Sequence, residues 1–292
     1  MGAVQIAIPV PAALRAGAAI LIRGAHQLQI GCDPERSTLV DLPPDVYAYD
    51  VADLLDSLRE PGGTGGLRSR LDEVGLSPAD FDRIVAPLRG LGAITSGCPP
   101  TLRVCLHGRG PVRDGLSAAL SDAGYPLARS SVRHARPWRS GATRPTLVVL
   151  TDFTHHDPLV VTDLMRAGVP HLPVRLRDGV AVVGPLVLPG RSSCLRCADH
   201  HRATLDPGWP QVCAQLVNRP GYASDAVVRL AVGAAVEQIE QISAGLDGLD
   251  GDRARPDLVE RTLEIHARPL RLRHKDWPAH PHCFCGARWR ND

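Results

Sequence analysis

Four cysteines in two close pairs carry the clearest chemistry in the chain. Cys194 and Cys197 form a C-x-x-C pair at the end of 182–197 (VVGPLVLPGRSSCLRC). Cys283 and Cys285 form a C-x-C pair inside 280–286 (HPHCFCG). Zinc takes four soft ligands in a tetrahedron, and each short pair can supply one edge of it. Such a site would tie the middle of the chain to its last ten residues. Two incidental pairs or two disulfides are the competing reading, but the spacing is metal-like and nothing else points to secretion. The second pair is tighter than the commoner C-x-x-C, and His280 and His282 are close enough in sequence to replace one thiolate. The other cysteines, Cys32, Cys98, Cys105 and Cys213, are unpaired by spacing and read as small core residues.

A glycine turn is the second chemical signal. Leu102, Val104 and Leu106 alternate, Gly108-Arg109-Gly110 follows, and a helix is expected from 111 to about 123. A dinucleotide-binding turn needs G-x-G-x-x-G, so that backbone can approach phosphate and the helix can pack on its strand. Gly108 and Gly110 are present, but Arg113 stands at the third position and Gly115 is displaced. An acid about twenty residues on should hold a ribose, and 125–132 (YPLARSSV) has neither Asp nor Glu. A nucleotide site and a turn that needs glycine only for packing both remain open. Asp152 ends the apolar run 146–152 (TLVVLTD), as a buried parallel strand should. Open α/β sheets place ligand-binding groups at that end, although a cap for 154–157 would use the same residue.

The elements that must position these residues can be read outward from them. A crossover helix is expected over 158–167, a strand over 169–176, and a hairpin over 180–188 that leads to the first cysteine pair. The polar stretch 198–215 reads as a crossover or lid. Ser224 caps the best helix, 224–243, whose apolar residues Val228, Leu230, Ala231, Ala234, Ala235, Ile239 and Ile242 form a wide face. After a Gly/Asp-rich linker at 246–257, an edge strand or hairpin over 258–272 leads to Trp277-Pro278 and the second pair.

The first hundred residues form a separate unit. Apolar runs at 18–22 and 26–30 flank Arg23-Gly24-Ala25, a hairpin signal, and 37–42 offers a third strand. Helices are expected at 50–59, 67–74 and 78–91. The last opens with Ser77 as cap, Pro78 at its first position and Asp80 in its first turn. Gly92 ends it and Ile94 begins a return strand. Three strands and three helices read as a small winged-helix-like α+β domain over 1–97, with a linker at 96–100.

Length and composition set the outer limits. The chain has 292 residues, about two domains' worth. The apolar share of 44% supports a sizeable core, and the aromatic share of 4% makes that core aliphatic. The net charge of +2 comes without a long basic run, so charge announces neither nucleic acid nor an anionic membrane. No signal peptide and no run of membrane-helix length is apparent, which points to the cytoplasm.

In this order, the parts resemble the ThiF-like, ubiquitin-activating-type proteins. Within those they resemble the cyclodehydratase partner proteins of thiazole/oxazole-modified peptide pathways. The resemblance rests on TLVVLTD, AGVPHLPV, GPLVLPGRSSCLRCADHHR, the late long helix and WPAHPHCFCG. It covers essentially the whole chain from about residue 15. It implies an α/β fold: a PqqD-like winged-helix domain over 1–97, then a Rossmann-like ThiF-type domain over 98–292 with a zinc knot on Cys194, Cys197, Cys283 and Cys285. It also implies ATP over the glycine turn at Gly108 and Gly110 in competent relatives, with Asp152 helping to hold magnesium. A YcaO-type partner enzyme performs the ATP chemistry in these systems, and the ThiF-like member presents the precursor.

The sequence departs from the competent pattern at the glycine turn, at the ribose acid, and at the arginine expected after Asp152, where Thr154-His155-His156-Asp157 stands. Adenylation must stabilise developing charge with fixed cations and donors, and a full set cannot be named here. The leading expectation is a non-catalytic partner that binds a precursor leader peptide, either alone or as a homodimer. The leader would add to the strand 37–42 at Thr38, Leu39 and Val40, beside the helix 78–91 with its cations Arg83 and Arg89. An ATP-dependent adenylating enzyme is the alternative. A winged-helix DNA regulator is a lesser one, because Asp80 and Asp82 oppose the two arginines.

Overall fold

The computed structural model describes residues 12–59, 66–96, 100–130, 138, 145–245 and 256–287. It divides into two units, Met1–Pro99 and Pro100–Asp292. Among the described residues, no helix is long and apolar enough to cross a membrane. Cys98 lies outside the described residues.

The first unit contains β1 (Ala12–Leu14), β2 (Ile20–Gly24), β3 (Gln27–Ile30), β4 (Thr38–Asp41), α1 (Ala48–Ser57), α2 (Leu67–Val74), α3 (Pro78–Gly90) and β5 (Ile94–Ser96). β2, β3 and β4 form an antiparallel sheet in chain order. The strand at 94–96 does not return to that sheet. It pairs with β1, Leu14 opposite Ile94. β1 has only three residues, too few for a period-2 pattern to show in the sequence. Ser77 caps α3 as its residues suggest, accepting from the Asp80 amide at 3.1 Å. Leu28, Ile30, Leu54, Leu55, Ile84 and Leu88 close an aliphatic core.

β4 is an edge of its sheet. The Leu42 amide donates to the His26 carbonyl at 2.9 Å, and Val40 faces Leu28 in register. Backbone groups alternate sides along a strand, so the amides of Thr38 and Val40 point to β3 and those of Leu39 and Asp41 to the open edge. Val40 is buried, while Leu39 is 49% exposed.

The second unit contains β6 (Val104–His107), α4 (Pro111–Asp122), β7 (Leu127–Ser130), β8 (Leu147–Asp152), α5 (Pro158–Arg166), β9 (His171–Arg177), β10 (Val180–Val183), α6 (Leu195–Leu205), α7 (Trp209–Leu216), α8 (Asp225–Gly245), β11 (Arg261–Ala267) and β12 (Leu270–Asp276). Its seven-stranded sheet runs β12-β11-β10-β9-β8-β6-β7. β7, β6, β8 and β9 are parallel, the Rossmann-like half. From β9 onward the pairing is antiparallel. Strands β6 and β8 are buried throughout, which is why 146–152 reads as a continuous apolar run. The stretch 258–272 resolves into the hairpin β11–β12, with β12 at the edge.

Three readings are refined here. The stretch 198–215, expected as a crossover or lid, forms two helices, α6 and α7. Its polar residues line a cavity, so the apolar stripe that announces a helix is interrupted. The face of α8 is narrower than expected: Val227, Ala231, Ala235, Ile239 and Ile242 are buried, but Leu230 is 41% exposed. Gly115, which seemed a displaced phosphate glycine, has a packing role. A β-carbon there would stand 2.8 Å from Val232, so glycine lets α4 approach α8 closely.

A buried histidine in this sheet makes the fold acid-sensitive. His171 on β9 is fully buried, and burial pushes it from 6.5 down to about 4. Its folded pKa lies below the unfolded one, so as pH falls the unfolded chain takes the proton first. Stability is therefore complete above pH 6.5 and drains away between 6.5 and about 4, by at most about 3 kcal/mol. Thermal midpoints across that window should fall, and less steeply in His171→Leu. Equal slopes in both chains would contradict this account.

Candidate functional site

The glycine turn and Asp152 meet, although not as a nucleotide site requires. A helix N-terminus is an anion site because its first amides lack partners. In α4 the first position is Pro111, which has no amide hydrogen. The next two amides, Val112 and Arg113, donate to the two carboxylate oxygens of Asp152 at 2.9 and 3.1 Å. Asp114 already makes a helical bond to the Gly110 carbonyl. The chain's own carboxylate thus takes the first two free amides of α4. Asp152 is 2% exposed and has a φ of 66°, a left-handed conformation uncommon outside glycine. It therefore caps the helix that starts forty residues earlier, not the 154–157 segment. Gly110, with a φ of 145°, is needed for the same contact, since a β-carbon there would lie 2.5 Å from the Asp152 carboxylate.

The four paired cysteines converge. Sγ–Sγ distances are 4.0 Å for Cys194–Cys197, 3.6 Å for Cys194–Cys283 and 3.7 Å for Cys197–Cys285. All four sulfurs lie within 4.8 Å of one another. A tetrahedron with metal–sulfur bonds of about 2.3 Å has edges of about 3.8 Å, so the cluster can hold a metal ion with little movement. Neither His280 nor His282 belongs to it. Cys194 is the N-cap of α6 and Cys197 lies in its first turn, where the helix dipole favours thiolates. The hydrogen bond between them raises Cys194 and lowers Cys197. Burial pushes Cys283 up to about 12. Four ionised thiolates this close need a cation among them.

Hydrogen bonds outside the sulfur cluster hold the two halves of the knot together. Ser193 Oγ donates to the Trp277 carbonyl at 2.6 Å, and the Ser193 amide donates to Glu260 at 3.0 Å. Trp277 Nε1 donates to Thr262 at 3.1 Å. The Arg202 guanidinium lies 4.3 Å from the centre of the Trp277 ring and 5.4 Å from that of Trp209. It links the knot to the neighbouring cavity.

That cavity, of about 390 Å³, lies between the loop after β8, the end of β9, and helices α6 and α7. His155, His156, Arg175, Asp199, Trp209 and Cys213 are among its lining residues. His155 Nε2 is 3.2 Å from Asp199 and 3.4 Å from Cys213. Burial raises Asp199, but His155 and Arg202 outweigh it and hold the carboxyl below its usual range. Burial and the Asp199 carboxylate push Cys213 up to about 11. Burial draws Arg175 down to about 9, which leaves it charged at neutral pH. Burial, with His107 and Arg175 nearby, keeps His156 neutral. Cys213 is thus not the core residue that spacing implied. Cys32 is not one either, being exposed, while Cys105 is buried.

In the first unit, Thr38, Leu39 and Val40 lie on β4, and Arg83 and Arg89 on α3. Both arginines are paired within their own helix, Arg83 with Asp80 at 3.1 Å and Arg89 with Asp82 at 3.3 Å.

No family model matches the chain, and no curated protein does. Solved structures do share its fold. A heterocyclase in complex with substrate and cofactor has a TM-score of 0.62 at 13% identity, over 94% of this chain and 39% of that one. The heterocyclase TruD has a TM-score of 0.57 at 16% identity, over 96% of this chain and 43% of that one. E. coli MccB with ATP has a TM-score of 0.55 at 12% identity, over 94% of this chain and 99% of that one. The chain therefore spans less than half the length of the two heterocyclases and nearly all of MccB. At such identities the likeness establishes the fold alone, an α/β architecture shared with these heterocyclases and with MccB.

Proposed function

We propose that this chain is a non-catalytic partner protein. It binds the leader of a ribosomal precursor peptide and presents it to a YcaO-type cyclodehydratase in azole-modified peptide biosynthesis. The observation that carries this reading is the seat of Asp152. A fold shared with heterocyclases and MccB keeps Gly108 and Gly110, yet the first two free amides of the following helix, which would face a phosphate, are taken by an internal carboxylate. Cys194, Cys197, Cys283 and Cys285 hold a structural zinc, with no position left for water.

Leader recognition belongs to the first unit, read as a PqqD-like winged-helix domain. The leader adds as a strand along β4, where the Leu39 and Asp41 backbone faces outward, and its alternate side chains give selectivity. Arg83 and Arg89, themselves exposed, can exchange their half-buried aspartate partners for acidic leader residues, because such surface pairs are worth only about 0–1 kcal/mol. The same pairing weakens the DNA-binding reading, which needs unpaired cations for phosphate.

Calorimetric titration of the full chain with the leader encoded beside its gene tests this proposal. Leu39→Pro removes an outward amide without touching the β3–β4 ladder, so folding should persist while leader affinity falls at least about 10-fold. Thr38→Pro would break the ladder itself and is the control for misfolding. No heat with the wild type, or equal affinity in Leu39→Pro, rejects the β4 edge as the docking site.

A further inference from the structure

We propose that His155 Nε2, Asp199 Oδ2 and Cys213 Sγ form a second metal site, separate from the cysteine knot. It would take a divalent cation of the zinc class and leave one coordination position open to the cavity.

The three ligand atoms come from three elements: the loop after β8, helix α6 and helix α7. They lie within 4.8 Å of one another. His155 Nε2 lies 3.2 Å from Asp199 Oδ2 and 3.4 Å from Cys213 Sγ. Zinc bonds of about 2.0–2.3 Å to nitrogen, oxygen and sulfur place such atoms about 3.3–3.7 Å apart, so a small expansion admits the ion.

A nucleophilic relay would use these residue types differently. In a Cys–His–Asp relay the thiol and the carboxylate engage opposite nitrogens of the imidazole. Here both approach the same nitrogen, Nε2. One nitrogen cannot pass a proton between two partners that both crowd it, whereas a cation between all three satisfies each.

The surroundings orient the ligands. Asp199 Oδ1 accepts from Arg202 at 3.0 Å and from Trp209 Nε1 at 3.2 Å, which turns Oδ2 toward His155. Outer partners that fix a ligating carboxylate are characteristic of built metal sites. The His155 carbonyl accepts from the Asn218 amide at 2.8 Å and anchors the loop. Across the cavity stands Arg175, 6% exposed, whose buried Nε has no hydrogen-bond partner. A buried donor left unpaired in a cavity wall points to a ligand there. Three protein ligands beside a cavity is the arrangement of an open zinc site, in contrast to the closed four-thiolate knot.

Zinc analysis of the full chain, equilibrated with excess zinc and then desalted, is the test. The wild type should hold two equivalents, and Cys213→Ser and His155→Ala one each. Trp209→Phe, which removes only an orienting bond, should weaken the second equivalent about 10-fold and spare the first. Alkylation needs no variant. Zinc should protect Cys213 from iodoacetamide, read by peptide mass mapping, and a chelator should restore its reaction. Equal Cys213 reactivity with and without zinc overturns the proposal, as does an unchanged zinc content in the Cys213→Ser/His155→Ala double variant.

Discussion

Changing Cys194 and Cys197 together to serine is expected to abolish zinc binding at the knot and to destabilise the second unit severely. The two cysteine pairs are far apart in sequence, Cys194 and Cys283 being 89 residues apart. The ion therefore closes a long loop and anchors the segment that carries Trp277 and the second pair. Apparent zinc affinities of small folded zinc peptides correspond to about 10–16 kcal/mol, much of it realised as folding free energy. A loss of several kcal/mol is expected here, because neutral bonds from Ser193 and Trp277 keep part of the contact. Metal content and thermal midpoint should fall together. Zinc kept at the knot in the double variant, or an unchanged midpoint, would contradict the assignment.

Asp152→Ala is expected to cost about 2–4 kcal/mol, because it leaves the Val112 amide buried without an acceptor and uncaps the first turn of α4. Asp152→Asn keeps one side-chain oxygen for the helix and should cost less. The alanine variant has a second, more diagnostic consequence. Removing the carboxylate vacates an anion site, so inorganic phosphate or sulfate should raise the midpoint of Asp152→Ala and leave the wild type unmoved. Equal anion responses would mean that Asp152 does not occupy the phosphate position.

The parts legible in the sequence are those whose signal is local. Two short cysteine pairs define a four-sulfur site whatever lies between them, and the apolar run of β8 shows a buried parallel strand. Ser77-Pro78-Ala79-Asp80 shows where α3 begins. The remainder depends on contacts between distant residues. Asp152 stands at the expected strand end, yet its partners are amides on α4, which no spacing rule connects to it. His155, Asp199 and Cys213 sit on separate elements and share no motif. Their helices read as a lid because Asp199, Arg202 and Trp209 face a cavity where apolar residues would have marked a core. The pairing of β1 with β5 escapes because three residues carry too little periodicity. Asp80 and Asp82 are legible in the sequence as counter-charges to Arg83 and Arg89, but only the folded helix shows which aspartate each arginine meets.

ATP–pyrophosphate exchange by the isolated chain, with precursor peptide and magnesium present, tests the central claim most directly. Exchange requires that the protein itself bind ATP and form an adenylate. With Asp152 on the amides of α4, no exchange above background is predicted, while the same preparation binds leader in calorimetry. Exchange that saturates with ATP and is lost in Asp152→Ala would contradict the account, and would make the chain an adenylating enzyme in its own right.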